Sequence, residues 1–261
     1  MTITMVRIAM GQMLVKFGNP QRNIQRACDM IEQASELNCD IIVLPECMDL
    51  GWTYPEAGSL AKPIPGEYSD VLCQAAKKAG IYVVAGLTER CGDELFNAAI
   101  MISSEGLILT KHRKINELDI ARHLYSIGDT LSVVKTPFGR IGINICADNA
   151  PSSLELGRAQ GRMGAQLILS PSSWAVRKNH DNIEDPYGDM WLQSYKSLAE
   201  SYGVSVVGVT NVGWVEGGAW DGWKCIGCSL AVGSDGEVIA SGSYGDQMEE
   251  LISIECKIVN K

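Results

Sequence analysis

The chain has 261 residues, 46% of them hydrophobic, and a formal charge of −9. That is enough apolar sequence for a sizeable core, and an acidic balance without long basic runs argues against nucleic acid or an anionic membrane as partner. No apolar stretch approaches the roughly 20 residues of a membrane span, and residues 1–7 lack the features of a signal peptide.

The nine cysteines are scattered through expected strands and helices, which suits a reducing, cytoplasmic setting better than a disulfide framework. Cys225 and Cys228 form a Cys-x-x-Cys pair. No second such pair follows, and His112, His123 and His180 are dispersed, so the pattern predicts no metal site.

In chain order, residues 6–13 read as a strand and 19–37 as a helix, with Ile24, Ala27, Ile31 and Ala34 at helical spacing. The run 40–45, closed by Pro45, reads as a strand buried on both faces. A helix over 68–79 leads through Gly80 to a strand at 81–87, and a hairpin joins 97–103 to 107–110 across Ser104-Glu105-Gly106. The second half repeats the order: strand 139–145, helix 152–163, strand 166–171, helix 191–202, strand 204–210, then a hairpin of 227–232 and 237–240 turning on Ser234-Asp235-Gly236.

Two β-α-β-α-β-β halves without a Pro/Gly/Ser-rich linker predict a single domain over 1–261 with an internal pseudo-two-fold repeat. Each half needs helices to cover its sheet. The expected fold is therefore α/β, a four-layer α-β-β-α sandwich with one doubly wound sheet as the alternative.

Three polar positions stand at the edges of these elements. Cys146 follows an apolar strand at the start of a turn, where free backbone N–H groups favour a thiolate able to attack a carbonyl. Glu46 follows Pro45 at what reads as the equivalent strand end of the first half, placed to act as a general base. Lys114 closes His112-Arg113-Lys114 after the first hairpin, where an ammonium beside a thiol would stabilise an oxyanion. Taken singly, a strand cysteine is more often a small buried hydrophobe, and a glutamate or lysine is more often a solvated charge.

Together, Leu44-Pro45-Glu46, Arg113-Lys114-Ile115, the segment from Gly142 through Asp148 and the segment from Gly164 through Trp174 resemble the nitrilase superfamily of carbon–nitrogen hydrolases. Asn211-Val212-Gly213 and Gly227-Cys228-Ser229 extend the resemblance over nearly the whole chain. It implies the αββα sandwich, Cys146 as nucleophile, Glu46 as base, Lys114 as oxyanion stabiliser and the Ala147 backbone N–H as second oxyanion donor. It implies no metal or organic cofactor, a small-molecule amide, N-carbamoyl or nitrile substrate, and at least a homodimer.

The chain also departs from the pattern. Many members carry a second glutamate ahead of an aromatic-rich stretch leading to Gly-Asp, but residues 121–129 contain none. Glu117 is the candidate substitute. Tyr54, Trp174, residues 187–191 and the Trp-rich segment 214–223 are candidates for the substrate pocket. The expected activity is hydrolysis of a non-peptide carbon–nitrogen bond, an amide or N-carbamoyl compound, through a cysteine thioester. Nitrile hydrolysis at the same site, a non-catalytic binding protein and a Cys–His hydrolase using His112 or His123 are the alternatives.

Overall fold

A computed structural model of the chain describes residues 2–260. In chain order the first half contains β1 (Thr2–Gln12), α1 (Pro20–Glu36), β2 (Ile41–Val43), α2 (Ala57–Leu60), α3 (Glu67–Ala79), β3 (Tyr82–Cys91), β4 (Glu94–Ile102) and β5 (Ile108–Arg113). The second contains β6 (Val133–Thr136), β7 (Gly139–Ile143), α4 (Glu155–Arg162), β8 (Leu167–Pro171), β9 (Ala175–Val176), α5 (Asp189–Tyr202) and β10 (Ser205–Val209). It closes with β11 (Val212–Trp214), β12 (Lys224–Ile226), β13 (Leu230–Val232), β14 (Val238–Ser241) and β15 (Glu250–Asn260).

Local chemistry sets the helix ends. Asn19 caps α1, its side chain accepting from the Arg22 N–H at 3.2 Å, and Pro20 occupies the first turn, where no N–H is needed. Gly80 and Gly203 end α3 and α5 at φ 70° and 65°, a left-handed conformation open to glycine at little cost.

Two six-stranded sheets result, ordered β15-β1-β2-β3-β4-β5 and β14-β13-β10-β8-β7-β6. The central strands are parallel and the flanking ones antiparallel. Their alternation explains the layers. Ile8, Met10, Ile41 and Val43 pack in one core with Ile143, Leu169 and Val207 of the other sheet. Ala9 and Ile42 face the opposite way, into a second core with Ile24, Ala27 and Ile31 of α1 and Leu72 and Ala76 of α3. α5 covers the second sheet through Tyr195, Leu198 and Ala199. The arrangement is the four-layer sandwich with its internal repeat, rather than one doubly wound sheet.

Matching the sheets strand by strand pairs β1 with β7, β2 with β8 and β3 with β10. This corrects one expectation. Cys146 follows β7 and Glu46 follows β2, so the two do not lie at equivalent strand ends; the counterpart of Glu46 is Ser172, whose carbonyl accepts from the Glu46 N–H at 3.2 Å. Three further features were not anticipated: β6, paired with β7; β15, paired with β1 along its full length; and a small sheet ordered β11-β12-β9.

Candidate active site

The loops leaving β2, β5 and β7 converge. Glu46 leaves β2 over Gly86 of β3, where an added Cβ would lie 2.5 Å from the Pro45 carbonyl oxygen and 2.6 Å from Glu46 Cα. Glycine is needed there for close approach, not for its φ. The Glu46 side chain is 1% exposed, and its Oε1 accepts from Lys114 Nζ and from Asn97 Nδ2, each at 2.6 Å. Lys114 is equally buried, and its backbone N–H donates to the Asn97 carbonyl at 2.8 Å. Asn97 on β4 thus fixes both partners, a role its sequence context does not signal.

Cys146 opens a short helical turn, Cys146–Asn149, with φ +43°. A non-glycine residue in this region stores strain, on the order of 1–3 kcal/mol, that the surrounding structure must hold. Asp148 supplies much of that hold. Its Oδ1 accepts from the Ile115 and Asn116 N–H groups at 3.1 and 2.8 Å, and its Oδ2 accepts from the Ile145 N–H at 3.0 Å and meets His112 Nε2 at 2.8 Å. Asn116 Nδ2 also donates to the Ala147 carbonyl at 2.7 Å. The segment carrying Lys114 is in this way tied to the turn carrying Cys146. Ala147, second in that turn, has an N–H without an acceptor inside it.

Burial raises the Cys146 thiol well above its ordinary range; Glu46 adds to the shift and Lys114 opposes it. That shift favours the thiol form, whose S–H donates to the Ser173 carbonyl at 3.8 Å. Burial pulls the Lys114 ammonium down, but Glu46, Glu117 and Cys146 outweigh it and keep it charged. Glu117 is buried with both carboxylate oxygens unpartnered, Oε2 lying 3.9 Å from Lys114 Nζ. Burial lifts its carboxyl to about 7, against the pull of Lys114 and with the repulsion of Glu46 and Asp148. Asp148 stays below the usual carboxylate range: burial pushes it up, but His112 and the Asn116 and Ile145 N–H groups more than compensate.

A cavity of about 330 Å³ holds Glu46, Lys114, Cys146 and Ala147. Trp174 lines it as expected, with Trp191 and Tyr187 beside it; Trp52 and Trp220 form another part of the wall. Tyr54 does not line it. Its ring packs beside Gly18, and Trp52, two residues earlier, takes the place on the wall. Glu117 sits behind Lys114 rather than on the wall, and neither His112 nor the exposed His123 reaches the cavity. A larger groove, about 640 Å³, lies around Arg140, Gly164 and Tyr202 and contains no thiol or carboxylate. Among the described residues, no group of three or more His, Cys, Asp or Glu is placed to hold a metal ion, and no helix is long and apolar enough to cross a membrane.

Fold and site together define an αββα sandwich in which a thiol, an ammonium and a carboxylate meet at the ends of strands drawn from both sheets. The chain belongs to the carbon–nitrogen hydrolase family, whose model matches residues 7–258. It is similar to the omega-amidase NIT2 of Xenopus tropicalis, 32% identical over 178 residues. That match covers 64% of this chain and 63% of the relative, so the chain spans under two thirds of the omega-amidase's length. A nitrilase of Pyrococcus abyssi is 29% identical over 261 residues, covering 98% of this chain and 92% of that one. In fold it is similar to a carbon–nitrogen hydrolase from Helicobacter pylori, at TM-score 0.85 and 22% identity over 97% of this chain and 89% of that one.

Proposed function

We propose that the protein hydrolyses the carbon–nitrogen bond of a small amide or N-carbamoyl compound through a thioester on Cys146. The observation that carries this reading is the buried Glu46–Lys114 pair, 2.6 Å apart, in the same small cavity as the Cys146 thiol. Because the thiol rests protonated, it needs a base, and Glu46 takes its proton as sulfur attacks the carbonyl carbon. Lys114 and the Ala147 N–H hold the oxyanion of the tetrahedral intermediate. Glu46 then protonates the departing nitrogen, the C–N bond breaks, and ammonia or an amine leaves an acyl-thioester. Glu46 next deprotonates water, which attacks the thioester and releases the carboxylic or carbamic acid, returning the proton to sulfur. Glu117, near neutrality, limits the negative charge around Lys114.

The similarity to omega-amidases supports amide chemistry, while the similarity to a nitrilase keeps nitriles in the assay. The test is a panel of amides, N-carbamoyl compounds and nitriles, followed by ammonia release and by mass spectrometry of a trapped adduct. Wild-type protein should release ammonia and carry the adduct on Cys146, and Cys146→Ala should do neither while keeping its fold. Full activity in Cys146→Ala would reject the mechanism.

A further inference from the structure

The cavity wall contains a recognition surface that the proposed reaction does not itself require. Its acidic and basic side chains are Glu46 and Lys114, and these neutralise each other at 2.6 Å. Glu117 behind Lys114 adds only negative charge as it ionises. Among the described residues, no unpaired cation is left on the wall to receive an anionic substrate group. The rest of the wall holds two aromatic groups, together with Leu118, Met190, small alanines and the hydroxyls of Ser152 and Ser173. Trp174 stacks on Trp191 at 5.1 Å with an interplanar angle of 9° and lies 6.0 Å from Tyr187. Trp220 stacks on Trp223 at 4.3 Å and meets Trp52 edge-on at 5.0 Å. The indole N–H groups of Trp52 and Trp174 are buried and have no hydrogen-bond partner among the described residues, so the wall holds neutral donors but no cation for a carboxylate. At about 330 Å³ the space falls at the small end of ligand cavities, which run from ~300 to 1,000 Å³.

We propose that this cavity selects amides with a neutral, aryl or arylalkyl acyl group and rejects acyl groups that bear a carboxylate, with Trp220 as the specificity-determining residue. The inference rests on the hydrolase reading and names the substrate class of the same site. A planar apolar acyl group gains offset or edge contacts with the indoles and brings no charge of its own to be desolvated. A carboxylate there would lose its water without gaining a cation, and buried unpaired charge is the most costly ligand feature. Trp220 is the adjustable part of the wall. It lies on the segment between β11 and β12 and is half-buried, whereas Trp174 and Trp191 are locked in the core.

The experiment compares kcat/KM for 3-phenylpropionamide, propionamide and succinamate, and measures binding of all three to Cys146→Ala by quenching of tryptophan fluorescence. The expected order is phenylpropionamide about tenfold over propionamide and on the order of 100-fold over succinamate. Trp220→Ala should bring the first ratio to within about threefold of unity, and Trp220→Phe should restore it. Succinamate matching phenylpropionamide in turnover and binding overturns the proposal while the hydrolase reading stands. An unchanged ratio in Trp220→Ala overturns the role of Trp220. Binding in the expected order without turnover of any amide supports the acyl-group selection and rejects the hydrolase reading instead.

Discussion

Asp148 shows why the site's residues were unequally visible in the sequence. Glu46 and Cys146 stand out because each ends an apolar run with a group that has chemistry to perform, and Lys114 because it closes a short basic run after the first hairpin. Asp148 sits two residues from Cys146 and reads as part of the same motif, but its work is done through space, on the N–H groups of Ile115 and Asn116 and on His112. Asn97 and Trp52 are hidden for the same reason: their partners lie far away in sequence. Replacing Asp148 with Asn keeps the shape and exchanges one accepting oxygen for a donor, which then faces donors. Asp148→Asn should lose about 2–4 kcal/mol of stability, because it leaves buried donors unpaired. It should also lower kcat by at least ~10-fold as Lys114 and the Cys146 turn lose their register. Thermal unfolding and steady-state kinetics measure the two effects; a wild-type kcat would reject the clamp.

At the scale of elements, periodicity located every strand of the two parallel cores and all three long helices. Several pieces escaped, the four-residue edge strand β6 among them. β15 carries a clear alternation, with Ile254, Cys256 and Ile258 buried and Ser253, Glu255 and Lys257 exposed, yet its partner β1 lies at the other end of the chain. β9 and β12 are too short for a period to show. The crossing of the Glu46 loop over β3 is visible only in three dimensions, although it depends on one residue, Gly86. Gly86→Ala would put a methyl group against the Pro45 carbonyl and Glu46 Cα. Since neither backbone atom can rotate away, the loop must move. The expected loss is about 1–3 kcal/mol of stability and roughly 100-fold in kcat/KM from displaced Glu46. A variant with normal kcat/KM in the same assay would show that the loop absorbs the methyl group without disturbing the carboxylate.

The molecule as a whole places its polar machinery in the sandwich interior, and its stability should register the cost as a function of pH. Two buried carboxyls are lifted to about 7: Glu117 mainly by burial, and Asp49 by burial against the opposing N–H groups of Thr88 and Leu50. In the unfolded chain both titrate near 4. Between about pH 4 and 7 the folded state therefore holds protons that the unfolded state has released, and stability falls as pH rises through that window, levelling off above it. Asp148, held below its usual range, acts in the opposite sense, and its contribution is lost only under more acidic conditions. The melting temperature should thus be highest near pH 4–5 and decline toward pH 8, with the net charge of −9 adding self-repulsion in the same direction. Glu117→Gln removes one of the two titrations, and each is worth on the order of 3 kcal/mol. Its melting temperature should fall less between pH 5 and 8 than that of the wild type, and Asp49→Asn should flatten the curve again. Parallel curves for wild type and Glu117→Gln would mean that Glu117 is already ionised beside Lys114 at pH 5, and that the ammonium faces two negative charges throughout catalysis.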